Sequence, residues 1–189
     1  MLDDDIRTAV GSAVHVPLLI VLGGLPGTGK TTVARGLAGD LSAVHLRIDT
    51  IEEIIRKASD VQGEVVDVGY RVAYGLALDN LRLGHWVIAD AVNPLPLVRE
   101  AWRAVADAAA AGIVEIELVC SDPEVHRARV AGRTADIAGA TLPSWADVAG
   151  RHYEPWEPTP VRIDTAVATA QDCVRQALTA IMRAQAPLR

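Results

Sequence analysis

The sequence predicts an α/β fold of three layers: a parallel sheet of about five strands, helices on both faces, and a small lid. Three observations carry that prediction. Strand-like and helix-like segments alternate along the chain, the pattern of a parallel sheet with crossover helices. The strand candidates are near-continuous apolar runs, as strands covered on both faces require. One apolar run, one glycine-rich loop and one helix also follow each other in the order of a phosphate-binding unit. With 189 residues, 50% hydrophobic and 22% charged, the chain reads as a single well-cored domain over 1–189. Residues 1–16 form an N-terminal extension, and the lid region spans about 127–142.

Each element has its own signal. Residues 17–22 are an unbroken apolar run of strand length. After the glycine loop, residues 32–41 place Val33, Leu37 and Leu41 at helical spacing. Residues 43–48 read as a second strand ending at Asp49, followed by a short helix over 51–58 and a break over 60–64. A longer amphipathic helix over about 65–83 stops at Gly84. Residues 86–90 make a third strand and 93–96 a loop, and a helix over about 97–111 is expected to end at Gly112. Residues 113–120 are a fourth strand, and Ser-Asp-Pro-Glu at 121–124 opens another helix with a cap and an early proline. Residues 134–142 are small and loose, as a lid is. One or two turns at 144–151, a proline-rich loop at 153–160, a fifth strand at 161–164 and a closing helix at 169–184 complete the chain.

Residues 24–31 read Gly-Leu-Pro-Gly-Thr-Gly-Lys-Thr, a complete G-x-x-x-x-G-K-[ST] loop. Gly24, Gly27 and Gly29 let the backbone turn so that its N–H groups face phosphate oxygens. Leu25, Pro26, Thr28 and Thr32 complete the nucleotide-binding segment. Lys30 reaches the β- and γ-phosphates, and the Thr31 hydroxyl is placed to ligate Mg²⁺. The helix that starts here adds its positive dipole end. Lysine usage sharpens the reading: the basic residues are 16 Arg and only 2 Lys, yet a Lys stands at this position. The segment predicts binding of a nucleoside triphosphate, with ATP and Mg²⁺ as cofactors.

Composition narrows the partners. Net charge is -6 and pI about 5.3, which opposes tight, nonspecific binding of nucleic acid. The apolar stretches fall short of the roughly 18 residues of a membrane span. The opening Met-Leu-Asp-Asp-Asp carries the wrong charge for a secretory or transit peptide. Cys120 and Cys173 read as buried free thiols, so a reducing cytoplasm is expected. His15, His45, His85, His126 and His152 show no metal or triad spacing and read as structural or exposed.

In a parallel sheet, ligands bind at the carboxyl ends of the strands. Three strand candidates end in aspartate: Asp49, Asp90 and Asp164. A carboxylate there can hold Mg²⁺ or take a proton from an attacking hydroxyl. Asp90 follows the apolar run Trp-Val-Ile-Ala, a Walker B pattern that suggests the metal side together with Thr31. Asp49 suits general base work, and Asp164 suits a turn before the closing helix. Phosphoryl transfer also needs positive charge near the γ-phosphate. Arg129 and Arg133, four apart and expected to share a helix face, are the lid arginines proposed for it, with Lys30. The region after Asp49 is expected to hold the second substrate, with Arg56, Tyr70 and Arg71 as lining residues; Tyr70 and Tyr74, four apart, read equally as core packing.

From about residue 17 to 184 the chain resembles the P-loop kinases of the group that includes polynucleotide kinase, zeta-toxin, chloramphenicol phosphotransferase and adenylylsulfate kinase. The resemblance rests on GLPGTGKTT, on the aspartate in RIDTIEEII, on WVIADAVNP, on HRARVAGR, and on YEPWEPTPVRIDT. It implies a three-layer P-loop NTPase of the nucleoside-monophosphate-kinase type. It implies that Asp49 deprotonates the acceptor hydroxyl and that Asp90 and Asn93 lie near the phosphates or the acceptor. The stretch before Val161 looks like the family's loop against adenine. One departure is informative: where polynucleotide kinases and zeta-toxins carry a basic residue shortly after the aspartate, this chain has Glu52 and Glu53, with Arg56 the nearest cation. Acidic residues there oppose a polyanionic acceptor. The expected activity is therefore an ATP-dependent kinase acting on a hydroxyl of a small neutral or cationic molecule: a metabolite, a sugar-like compound or an antibiotic. A nucleotide or polynucleotide 5′-hydroxyl kinase and a non-catalytic ATP-binding sensor are the alternatives. The expected state is a monomer or homodimer.

Overall fold

The computed structural model describes residues 16–58, 66–157 and 161–185. The expected break at 60–64, nearly all of the N-terminal extension and the end of the proline-rich loop lie outside the described residues.

Five strands form one parallel sheet in the order β2-β3-β1-β4-β5: β1 (Leu18–Gly23), β2 (Val44–Arg47), β3 (Val87–Asp90), β4 (Gly112–Val119) and β5 (Val161–Asp164). The connecting helices are α1 (Lys30–Leu41), α2 (Ile48–Ala58), α3 (Val66–Arg82), α4 (Pro96–Ala108), α5 (Pro123–Ala131), α6 (Trp145–Ala149) and α7 (Ala170–Gln185). Strand β1 is central and all six of its residues are buried, which accounts for its unbroken apolar sequence. Successive side chains of a strand point to opposite faces. Accordingly Leu18, Ile20 and Leu22 pack with Val33, Leu37, Cys173 and Ile181 of α1 and α7. Leu19 and Val21 pack on the other face with Ile48, Tyr70, Ala73 and Trp102 of α2, α3 and α4. The three-layer α/β prediction holds.

Three boundaries differ from expectation, each for a local reason. Strand β2 passes into α2 with no intervening loop, so Asp49 sits in the first turn of a helix rather than at a strand end. Helix α4 stops at Ala108, not at Gly112. Ala110 takes the left-handed conformation at φ 50°, Ala111 N–H donates to Ala106 O at 2.9 Å, and Gly112 already pairs with Leu18 in the sheet. Helix α5 is capped by Asp122, with Pro123 at its start, but ends at Gly132, so Arg133 lies past the helix and shares no face with Arg129. Asp164 serves as the expected turn residue, accepting from Ser121 N at 3.1 Å and Ala166 N at 3.0 Å. Cys173 is buried, whereas Cys120 is only half-buried.

Candidate active site

The carboxyl ends of β1, β2 and β3 open into a cavity of about 1520 Å³. Single ligand pockets usually hold roughly 300–1,000 Å³, so this one has room for a nucleotide and a second molecule together. Its floor is the glycine loop between β1 and α1. Gly24, Gly27 and Gly29 have φ of 135°, 87° and 89°, a region that side-chain-bearing residues avoid. The loop is tied to its surroundings by Gly24 N–H to Val92 O at 3.1 Å and by His126 Nε2 against Pro26 O at 2.8 Å. Leu25 O collects the Thr28 hydroxyl at 2.9 Å and Lys30 Nζ at 2.9 Å. Pro26, Gly27, Gly29, Lys30, Thr31 and Thr32 line the cavity, while Gly24, Leu25 and Thr28 shape the loop from behind.

Lys30 is buried, and burial pulls its ammonium down to about 8, against the favourable charges of Asp90 and Asp49. Arg133 and Arg151 push in the same direction as burial, which puts four charged groups of the cavity within one field. A polyphosphate entering this field would favour the charged form of Lys30 further. Asp90 lies just beneath the cavity, 3% exposed. Burial pushes its carboxyl up. The hydrogen bond from His45 at 3.2 Å, the Lys30 charge and the Thr31 hydroxyl outweigh that, so the group stays below the ordinary carboxylate value. Asp90 is thus an ionised oxygen donor beside a hydroxyl, a hard donor set that fits Mg²⁺.

Asp49 is exposed to the cavity from the first turn of α2, where the helix dipole favours a carboxylate. Arg56 lines the same lobe and pairs with Glu53, and Tyr70 forms part of the wall with 7% exposure. Two expected acceptor residues lie elsewhere. Arg71 is on the outer surface of α3, 3.8 Å from Asp67, and does not reach the cavity. Asn93 is fully buried at φ 50°. Its Nδ2 donates to Leu22 O at 2.8 Å, its Oδ1 accepts from Trp102 Nε1 at 3.0 Å, and its N–H donates to the Tyr70 hydroxyl. It braces the cavity wall and has no polar group left for a ligand.

The arginines divide by position. Arg129 is tied to Thr165, donating from Nη1 to Oγ1 and from Nη2 to the carbonyl, both at 2.8 Å. That places it beside the β5–α7 loop, whose Thr165 and Ala168 line the cavity together with Ala170 of α7. Arg133 lines the cavity and its charge acts on Lys30. The described part of the loop before Val161 does not line the cavity. Trp156 is 4% exposed, stacked 4.4 Å beneath the Arg99 guanidinium on the α4 side of the sheet. Four contributors had no sequence signal. Arg151 follows a single-turn helix, His45 and His126 act through hydrogen bonds distant in sequence, and Arg47 clamps the lid residue Asp136 at 2.9 and 3.0 Å.

Residues 19–155 match the AAA_33 family, described as an AAA domain. The chain belongs to that family. It is 34% identical to an uncharacterised protein of Mycobacterium tuberculosis over 78% of its own length, but spans only 32% of that relative. Among solved structures it superposes on the Mycobacterium tuberculosis APS kinase CysC in complex with AMPPNP and APS with a TM-score of 0.68, at 18% identity, covering 88% of this chain and 98% of that one. A gluconokinase from Sinorhizobium meliloti gives 0.61 at 20% identity, covering 89% and 93%. Chaetomium thermophilum Kti12 in complex with ADP-AlF3 gives 0.66 at 21% identity, covering 89% and 99%. The fold is that of P-loop kinases and their relatives, and no described helix is long and apolar enough to cross a membrane.

Proposed function

We propose that this chain is an ATP-dependent kinase that transfers the γ-phosphate to a hydroxyl of a small molecule, working in the cytoplasm. The observation that carries the reading is that Lys30 and Thr31 of the phosphate loop share one cavity with Asp49, in a volume too large for a nucleotide alone. In the proposed reaction the loop N–H groups and Lys30 hold the triphosphate. Asp49 accepts the proton of the acceptor hydroxyl as its oxygen bonds to the γ-phosphorus and the bond to the β-phosphate oxygen breaks, releasing ADP. Thr31 and Asp90 would hold Mg²⁺, which would supply positive charge to offset that of the phosphates. Arg133 and Arg151, rather than Arg129, are the cations best placed to meet the transferring group, because Arg129 is engaged by Thr165.

The test is transfer of labelled γ-phosphate from Mg·ATP to nucleosides, oligonucleotide 5′ ends, sugars, nucleotide sugars and hydroxylated antibiotics. Asp49→Asn should keep ATP binding and lose about 10²–10⁴-fold in transfer, the usual range for a general base. Normal turnover by that variant would remove Asp49 from the chemistry. ATP binding with no transfer to any acceptor class would favour a sensor.

A further inference from the structure

Asp49 and Glu52 are three residues apart on α2 and both line the cavity. Their neighbour Glu53 is buried and paired with Arg56 and Lys57, so it is not available to a ligand. Glu52 is different. Among the described residues its carboxyl has no hydrogen bond or ion pair. Its stem lies in a notch on α3, where a Cβ on Gly69 would come within 2.5 Å of Glu52 Cγ. Any larger residue at 69 would push the carboxyl away. Beyond it the wall is apolar, made by Tyr70 and Tyr74 of α3 and by Leu97, Val98 and Ala101 around α4.

Resting on the kinase reading, we propose that Glu52 determines which acceptor is used. It binds a second hydroxyl of a neutral polyol whose neighbouring hydroxyl Asp49 prepares for transfer. Charge decides between acceptor classes. A phosphorylated acceptor would bring negative charge against two carboxylates one turn apart. An amine would be drawn to those carboxylates, but Arg151 and the Glu53-paired Arg56, with Lys30 beyond, offset part of that attraction. A hydroxyl both donates and accepts, and so does a carboxyl near its midpoint. Burial, then the Asp49 charge, raise Glu52 to about 7, against Arg56 and Arg151. The apolar wall suits the C–H face of a sugar-like ring.

The experiment compares the full chain with Glu52→Ala, Glu52→Gln and Glu52→Lys. Acceptors are ribose, glucose and myo-inositol, with ribose 5-phosphate and glucosamine as charged counterparts. The wild type should prefer the neutral polyols. Glu52→Ala should raise the polyol KM about tenfold, the loss of one hydrogen bond, with the KM for ATP within about twofold. Glu52→Gln, which still donates and accepts, should restore the KM to within about threefold of wild type. Glu52→Lys should shift preference toward ribose 5-phosphate. An unchanged polyol KM in Glu52→Ala, or a wild type that prefers the phosphorylated or amino acceptor, overturns the proposal. If the wild type transfers phosphate to nothing, the kinase reading has failed, and saturation-transfer NMR of ribose and inositol on protein loaded with Mg·AMPPNP decides separately. Binding lost in Glu52→Ala supports Glu52 as the polyol ligand, and absence of binding overturns it.

Discussion

At the scale of single residues, position in the fold decides whether a polar side chain is a tool or a brace. Asn93 and Tyr70 look alike in sequence as site residues, but Asn93 has every polar group bonded inside the protein, while Tyr70 presents a ring to the cavity. Glu52 is the reverse case, a carboxyl left unpartnered at a cost in stability. Asp49, Arg56 and Arg151 act on it through their charges, its own charge acts on Tyr70, and its stem packs against Gly69 of α3. Its folded value of about 7 lies above its ordinary 4.5. The protonated form is therefore favoured by folding, and that stability is present below about pH 4.5 and is lost as pH rises through about 7. Glu52→Gln cannot ionise, so it should raise Tm at pH 8 relative to wild type and leave it nearly unchanged at pH 4.5. Discounted for partial exposure, the gain should be about 1–2 kcal/mol, or roughly 2–8 °C. Equal shifts at both pH values, followed by circular dichroism, would show that Glu52 ionises as it does in the unfolded chain. The phosphate loop was legible because its chemistry lies in eight consecutive residues and in the backbone. Arg151 and His45 were not, because their partners lie in other elements.

At the scale of elements, strands and helices followed their apolar periodicity; the errors at α2 and α4 fell where a terminus is set by contacts rather than by a glycine or proline, while the one at α5 passed over Gly132. The alanine-rich end of α4 carries no stop signal, so the register of β4 against β1 decides where it ends. The lid is the clearest case. Residues 134–143 have no helix or strand, as their composition predicts, yet they are held down. Asp136 accepts from both Nη atoms of Arg47 on β2 and from Arg35 on α1 at 2.6 Å, and Lys57 of α2 donates to Ala138 O. The two arginines hold the Asp136 carboxyl well below the usual carboxylate range. Exposed ion pairs add little to global stability, about 0–1 kcal/mol, but two elements meeting one carboxylate, with a third on the Ala138 carbonyl, can set the position of a loop. Asp136→Asn should therefore leave Tm within about 3 °C and speed amide exchange across 134–143 several-fold. Raised salt should have the same effect on the wild type, by screening. Unchanged exchange in the variant would assign the lid's position to Lys57 and its neighbours.

At the scale of the whole molecule, the cavity lies at the carboxyl edge of the sheet, and the two connections behind it are joined by one buried cation. Arg99 of α4 is 1% exposed and, among the described residues, forms no ion pair, although the charges of Glu117, Glu115 and Glu154 act on it. It donates instead to four carbonyls: Asn93 O at 2.9 Å and Pro94 O at 2.9 Å after β3, and Glu154 O at 2.6 Å and Pro155 O at 2.7 Å before β5. Its guanidinium also lies over Trp156, whose ring fills the space beside Gly23, where a Cβ would come within 2.1 Å of it. No sequence signal announces this arrangement, since a planar fork with several donors is needed and its acceptors are backbone groups some 60 residues apart. Removing the fork should leave three of these carbonyls without a donor, Pro94 O keeping the Glu154 N–H at 2.9 Å, and loosen Trp156 against the start of the phosphate loop. Arg99→Met should cost about 3–5 kcal/mol, the range for disrupting a buried charged network, and lower Tm by roughly 6–20 °C. Arg99→Lys keeps the charge but cannot span four acceptors, so it should fall between that variant and the wild type. Thermal unfolding followed by tryptophan fluorescence reads both effects. An Arg99→Met protein melting within about 2 °C of wild type would mean that the two loops are held by their other contacts. Fastened in this way, the α4 side of the cavity is a fixed wall. We expect closure over bound ligands to involve instead the 134–143 segment that Asp136 anchors.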